Sequence, residues 1–228
     1  MSMPTTDRPE PTNVTAAQDA IRYGIAVLPS HYPIRPSTRR QPDRLACSCG
    51  IPDCPTPARH PIGTITSEQA TCNLAQITGW WTAHPNANPA TIAGRTFAVI
   101  QARYPGDPDH VAAWLDASDL EPGPVIVGGP GLLQFPARGA IAAAARTSPL
   151  PHGGGVDWLA DGTLVLLPPS RLTSGSIVRW LRPFQDRTVL LPDGEALFRA
   201  LTRLPNAHDL ARWAADHDAH QQAACPTR

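Results

Sequence analysis

The residues Phe97-Ala98-Val99-Ile100-Gln101-Ala102-Arg103-Tyr104, followed by Pro105-Gly106, decide how the rest of the chain is read. Phe97 to Ile100 is an apolar run short enough for a buried strand, closed by a Pro-Gly turn signal. Strand side chains alternate between faces, so Gln101 and Arg103, two apart, share one face where the strand runs out. Polar residues so placed, where an apolar strand runs out towards a Pro-Gly turn, form a typical edge of an active-site cleft. Neither side chain carries the negative charge that holds magnesium. The chemistry of the whole protein turns on that point.

Outward from this strand, 228 residues with 42% apolar content suffice for one domain of ordinary size and its core. No apolar run approaches the about 18 residues of a membrane span. Met1–Asn13 is polar and Pro-rich without a hydrophobic segment and reads as a disordered leader, not a signal peptide. The formal net charge is zero, which excludes a global basic field for nucleic acid and leaves only local patches. All 19 basic residues are arginine and 27 residues are proline, a pattern attributed mainly to genomic composition. Of five cysteines, three crowd between Cys47 and Cys54. Without a secretory signal, clustered cysteine points to metal in a cytoplasmic protein and not to disulfides.

Cys47-Ser-Cys49-Gly-Ile-Pro-Asp-Cys54, completed by His60-Pro61, supplies three thiols and an imidazole. That donor set suits a tetrahedral Cys3His zinc site, which would tie down a Pro-rich loop with no core of its own. The alternative is a set of reduced, exposed thiols with a solvated His60. Four protein ligands leave no open position, so the expected role is structural. Cys72 is expected in the core.

The flanking segments supply the elements. Thr15–Tyr23 reads as a helix capped by Thr15, with Ala16, Ala20 and Ile21 inward, and Ile25–Leu28 as a short strand. The loop at 30–44 carries Arg35, Arg39, Arg40 and Arg44. A helix is expected from Leu74, with Leu74, Ile77 and Trp81 inward, and a short strand at Thr91–Ala93. Asp107 and Pro108 are the cap and first residue of a helix that packs Val111, Trp114 and Leu115. Val125–Val127 and Leu132–Phe135 form a hairpin across a glycine-rich turn that lacks the lysine of a phosphate-binding loop. Gly139–Arg146 is expected to be an Ala-rich helix. Val156–Trp158, Thr163–Leu167 and Ile177–Leu181 are strands, and Gly194–Thr202 and Asn206–Gln222 two final helices.

Taken together, these segments resemble the N-terminal catalytic domain of bifunctional DNA primase/polymerases, the prim-pol domain of the archaeo-eukaryotic primase class. The resemblance rests on the helix and strand of Ala20–Pro29, the Cys/His-Pro insert Cys47–Pro61 and the Trp-Trp helix with its Asn-x-x-Ile-x-x-Gly sequel, Trp80–Gly94. It rests also on the hairpin Gly128–Phe135 and on Val156–Ser170, and it covers roughly residues 15–182. It implies an α/β (α+β) fold, an RRM-like, mostly antiparallel sheet flanked by helices, with the zinc loop (44–62) inserted near the N-terminus. The implied organisation is a leader (1–13), a prim-pol-like domain (14–190) and a helical appendage (191–228). The sheet is expected to hold Phe97–Ala102, Val125–Val127, Leu132–Phe135, Thr163–Leu167 and Ile177–Leu181.

Members of that family carry two carboxylates at the end of the strand that Phe97–Arg103 resembles, where this chain has Gln101 and Arg103. A third Asp corresponds to Asp157, and Leu132 stands where the family's hairpin has a histidine for nucleotide phosphates. Two-metal phosphoryl transfer needs clustered negative charge to hold ions about 3.5–4 Å apart. One carboxylate beside an arginine does not supply it, so Asp157 is read as a vestige, bound to Arg103, and Mg2+ or Mn2+ is not expected.

Three functions remain open at this stage. The first is a catalytically degenerate primase/polymerase domain that keeps a nucleic-acid or nucleotide surface for replication. Arg103, Arg138, Arg171 and Arg179 are its candidate phosphate contacts, with solvated surface charge as the alternative for the last three. The second is an active enzyme with displaced carboxylates at Asp107 and Asp109. The third is a zinc-stapled protein-interaction module. The partners implied are single-stranded DNA or a nucleotide, and a replication helicase or other replication protein, with no membrane.

Overall fold

A computed structural model describes residues 12–35, 45–118, 120, 123–139, 146–184 and 191–224. In chain order the elements are α1 (Asn13–Arg22), β1 (Leu28–Ser30), β2 (Pro33–Ile34), β3 (Ala46–Cys47), α2 (Leu74–Ala83), β4 (Asn88–Ile92), β5 (Ala98–Arg103) and α3 (Pro108–Asp116). There follow β6 (Val125–Gly129), β7 (Leu132–Ala137), β8 (Arg146–Pro149), β9 (Gly155–Trp158), β10 (Leu164–Leu166), β11 (Arg179–Arg182), α4 (Gly194–Leu201) and α5 (Ala207–Ala224). The expected leader, as far as residue 11, lies outside the described residues, as do Arg39, Arg40 and Arg44.

The strand that opens the sequence reading is central. β5 lies between β7 and β9 in a six-stranded sheet of order β11-β6-β7-β5-β9-β8, in which every pairing is antiparallel. Its alternating side chains enter two cores. Ala98, Ile100 and Ala102 pack with Leu133, Phe135 and Val156 on one face, under α3, α4 and α5. Phe97 and Val99 pack on the other, against a second, three-stranded sheet of order β1-β4-β10 with α1 and α2. A two-stranded ribbon, β2–β3, carries Cys47 opposite Pro33. The mixed, mostly antiparallel architecture is the one the sequence implies.

Several expectations are corrected. Thr163–Leu167 does form a strand, β10, but pairs with β4 in the small sheet and not with the central one. A three-residue apolar strand carries no local mark of its partner, and β4, buried at all five positions, takes it up. α1 begins earlier than expected, with the Thr12 hydroxyl accepting from the Thr15 amide, and buries Ala17 beside Ala20. Leu74 is exposed because it opens α2 on the solvent side, where only Ile77 and Trp81 are buried. Cys72, in the loop before Asn73 caps that helix, is exposed as well. Arg146, expected to end a helix, begins β8; residues 140–145 lie outside the described residues. Asp107 and Pro108 do start α3, with Asp107 Oδ1 accepting from the Asp109 amide.

Two polar features hold the layers in place. Arg146 forks onto Glu195 at 2.6 and 3.1 Å and lies 4.2 Å over the Phe198 ring, which docks α4 against the sheet. Asn88, fully buried, donates to the carbonyls of His31 and Arg171 at 3.1 and 2.8 Å and accepts from the Arg171 amide at 2.9 Å. It thereby satisfies three backbone groups of two loops that have no ladder of their own. Asn88→Ala strands those groups and is expected to lower unfolding stability by about 2–4 kcal/mol, read as a reduced urea midpoint at unchanged slope.

Candidate functional site

The pairing register lines up one row of side chains across the whole central sheet. Trp180, Ile126, Gln134, Gln101, Asp157 and Thr147 stand opposite one another on β11, β6, β7, β5, β9 and β8. Directly paired residues share a face, so Gln134, Gln101 and Asp157 form a polar strip beside the apolar Ile126. Gln134 is 6% exposed and Asp157 7%, and buried polar groups have to find partners. They find each other. Gln134 Nε2 donates to Gln101 Oε1 at 3.1 Å, and Gln101 Nε2 reaches Asp157 Oδ2 at 3.5 Å. Arg103, one register step along β5, closes the chain: its Nη1 lies 2.6 Å from Asp157 Oδ2 and its Nη2 donates to Oδ1 at 3.3 Å. Gln101, Arg103 and Asp157 therefore meet as the sequence anticipates, across a separation of 54 residues.

The loop joining β8 to β9 makes this approach possible. Gly154 sits at φ +86, and a side chain there would begin 2.0 Å from the Arg103 carbonyl. Leu132 pairs with Arg103 on the other flank and borders a cavity of about 250 Å3 shared with Tyr104, Pro108, Gly131 and Ile177. Nothing on this strip other than Asp157 is a carboxylate. Asp107 is occupied as the cap of α3 and Asp109 lies in its first turn.

The remaining predicted arginines do not converge here. Arg138 lies past the opposite end of β7, where its Nε donates to the Leu191 carbonyl at 2.7 Å and its backbone pairs with the start of α4. Arg179 pairs with Val127, whose row runs through Leu133, Ala102 and Val156 on the other face of the sheet. Arg171 is exposed, with its main chain held by Asn88 near His31. Sequence proximity to a strand does not report which face or end a side chain occupies. One arginine that the sequence reading passed over does reach the strip's margin: Arg59, whose Nη2 donates to the Gly128 carbonyl at 3.3 Å. Its only sequence signal is its place beside His60.

The Cys/His loop folds into a donor set. Cys47, Cys49, Cys54 and His60 bring their ligand atoms within 4.8 Å of one another, and among the described residues no other group of His, Cys, Asp and Glu is so arranged. Both Cys47 Sγ and Cys54 Sγ stand 3.4 Å from His60 Nε2. Sulfur at 2.3 Å and nitrogen at 2.0–2.1 Å from a common tetrahedral centre are about 3.5 Å apart, so the donors fit a metal ion such as zinc. Burial, above all, pushes the Cys47 thiol up to about 11, and a bound metal ion would displace its proton to solvent. The site is braced from outside. His31 packs its ring 4.3 Å from His60 and shares a 2.8 Å hydrogen bond between its Nδ1 and Ser48 Oγ, while its amide donates to the His60 carbonyl. Purified protein is expected to hold about one divalent metal ion per chain, by elemental analysis. Cys49→Ala or His60→Ala should lose it and speed amide exchange between Ala46 and Pro61, while the sheet's amides stay protected.

Among the described residues no helix is long and apolar enough to cross a membrane. No curated protein matches this chain. The family model described as bifunctional DNA primase/polymerase, N-terminal, matches residues 17–207, which takes in both sheets, the Cys/His loop, the glutamine–aspartate strip and α4. The chain belongs to the bifunctional DNA primase/polymerase N-terminal family.

Proposed function

We propose that this chain is a primase/polymerase-like domain that has given up nucleotidyl transfer and keeps a nucleic-acid- or nucleotide-binding role in replication. One observation carries the reading. The carboxylate that would serve catalytic metal is already bound by the guanidinium of Arg103 at 2.6 Å, and its neighbours in the row, Gln101 and Thr147, are uncharged. Divalent ions paired for phosphoryl transfer require several converging carboxylates, and a fixed positive charge in their place repels them. Leu132, opposite Arg103, offers no imidazole for a nucleotide's phosphates.

What the strip retains suits recognition. A guanidinium at the open edge matches phosphate oxygens in geometry and charge, and the Arg103 side chain is 52% exposed. The Cys3His loop is assigned structural zinc, because four protein ligands close the coordination sphere and leave no position for a water. An active enzyme built on Asp107 and Asp109 is the weaker reading, since the first of these is consumed in capping α3.

The test is template-dependent nucleotide incorporation with Mg2+ or Mn2+, run beside binding of labelled single-stranded DNA. The unmodified protein is expected to bind and not to extend. Gln101→Asp alone should stay silent, because Arg103 still neutralises the site. Gln101→Asp with Arg103→Asp assembles three carboxylates and should gain Mn2+ binding, read by the ion's relaxation or by calorimetry. Robust Mg2+-dependent extension by the unmodified chain overturns the reading.

A further inference from the structure

Arg59 is built into the metal loop more firmly than a surface charge requires. On its N-terminal side Ala58, fully buried at φ +59, donates its amide to Cys47 Sγ at 3.2 Å. On its C-terminal side stands His60, one of the four metal donors. The Ser30 hydroxyl donates to the carbonyls of both neighbours, at 3.3 Å to Ala58 and 3.0 Å to His60. The backbone is thus pinned on either side of Arg59, and a non-glycine residue is held in the left-handed region to achieve it.

The side chain so aimed leaves its own loop and crosses to the central sheet. Its contact there is Gly128, the extra residue where the β6–β7 register shifts between Val127 and Gly129. Gly128 belongs to the polar face: a Cβ on it would lie 3.0 Å from Leu132 Cδ2 and 3.3 Å from Gln134 Oε1. Leu132 pairs with Arg103, and Gln134 with Gln101. Neighbouring strands are about 4.8 Å apart, so the anchor points of Arg59 and Arg103 lie about 10 Å from each other across the strip.

The two arginines differ in what their charge has left to do. Arg103 is forked onto Asp157, and an anion approaching it meets a carboxylate as well. Arg59 has no carboxylate partner among the described residues, and only one of its five N–H donors is placed, in a long bond to a neutral carbonyl. An uncompensated guanidinium brought to the edge of this face by a pinned backbone is suited to two oxygens of a phosphate.

We propose that Arg59 is the principal phosphate-contacting side chain of this face, ahead of Arg103, and that metal in the Cys47, Cys49, Cys54 and His60 site holds it there. The inference rests on the nucleic-acid- or nucleotide-binding role proposed above. The phosphate belongs either to the backbone of a single strand or to a nucleotide's triphosphate. Occupancy of the metal site and binding of the phosphate ligand are then thermodynamically coupled, each strengthening the other.

The experiment uses the full metal-loaded chain and a fluorescent short oligothymidylate, with affinity followed across a salt series and metal content measured for every variant. Arg59→Ala and Arg59→Gln, scored in whichever retains its metal, should weaken binding about tenfold or more. Each should also flatten the dependence of log affinity on log salt by about 0.7, the share of one phosphate contact on a single strand. A purely structural role would not move that slope. Arg59→Lys should keep most of the slope while losing part of the affinity. Removing the metal from the unmodified protein should reproduce the loss, and removing it from the metal-loaded alanine or glutamine variant should add little.

Inorganic triphosphate is the second probe. If it displaces the oligonucleotide from the unmodified protein, the phosphates recognised are a nucleotide's; if it does not, while the variants weaken oligonucleotide binding, they are the strand's. Metal-loaded Arg59 variants that bind as well as the unmodified protein, with Arg103→Ala abolishing binding, overturn the assignment and leave the binding role standing. Unchanged affinity after metal removal overturns the coupling. An unmodified protein that binds neither probe overturns both the assignment and the role beneath it.

Discussion

Asp157 is only 7% exposed, so its carboxylate has to be paired, and that pairing organises this molecule's central face. It stands in β9 beside β5, so its partners come from the strand next to it: Arg103 takes both oxygens, and Gln101 reaches one of them. Gln101, half-buried, in turn engages Gln134, which satisfies the second buried polar group of the row. Each of these side chains would be costly alone in that position. Together they form a closed network whose geometry depends on the register of three strands.

The same register divides the apolar residues. A shift of β5 by one residue would bring Ile100 to the polar strip and Gln101 to the core beneath α3 and α4. Polar satisfaction on one face and burial of Ile100, Ala102 and Leu133 on the other therefore specify a single alignment. The small sheet and its helices complete the opposite core through Phe97, Val99 and Ile126. The Cys/His loop has little apolar material of its own. It is held instead by Ser30, His31 and the donor set, and it presents Arg59 to the rim of the strip. The fold of the primase/polymerase family thus surrounds a strip on which the charges of Arg103 and Asp157 are paired.

Much of the path to this site was legible in the chain. Alternation put Gln101 and Arg103 on one face, because a period of two is a property of the backbone and not of its surroundings. The spacing of Cys47, Cys49, Cys54 and His60 forecast one donor cluster, because so short a connection keeps the ligands close in almost any fold. The Asp107-Pro108 start of α3 and the glycine-bounded hairpin of β6 and β7 were legible for the same reason: caps and turns are satisfied locally.

The Arg103–Asp157 meeting followed from the family resemblance; what failed to read through depended on other partners far along the chain. Leu74 has core chemistry yet faces solvent, since which side of α2 is covered depends on β1 and α1 packing against it, and Cys72 is exposed in the loop before that helix. β10 has the composition of any buried strand, and only β4 determined which sheet received it. Arg138, Arg171 and Arg179 carry the right charge near the right segments, but the register sent one past the far end of the sheet, one to a loop near His31 and one to the other face. Arg59 shows the converse. Its sequence context described only the metal loop, and a backbone contact to Gly128, 69 residues away, made it part of the central face. Periodicity, caps and ligand spacing are short-range and were determined by the sequence itself; sheet membership, exposure and the reach of Arg59 to Gly128 are long-range, and only the tertiary structure decided them.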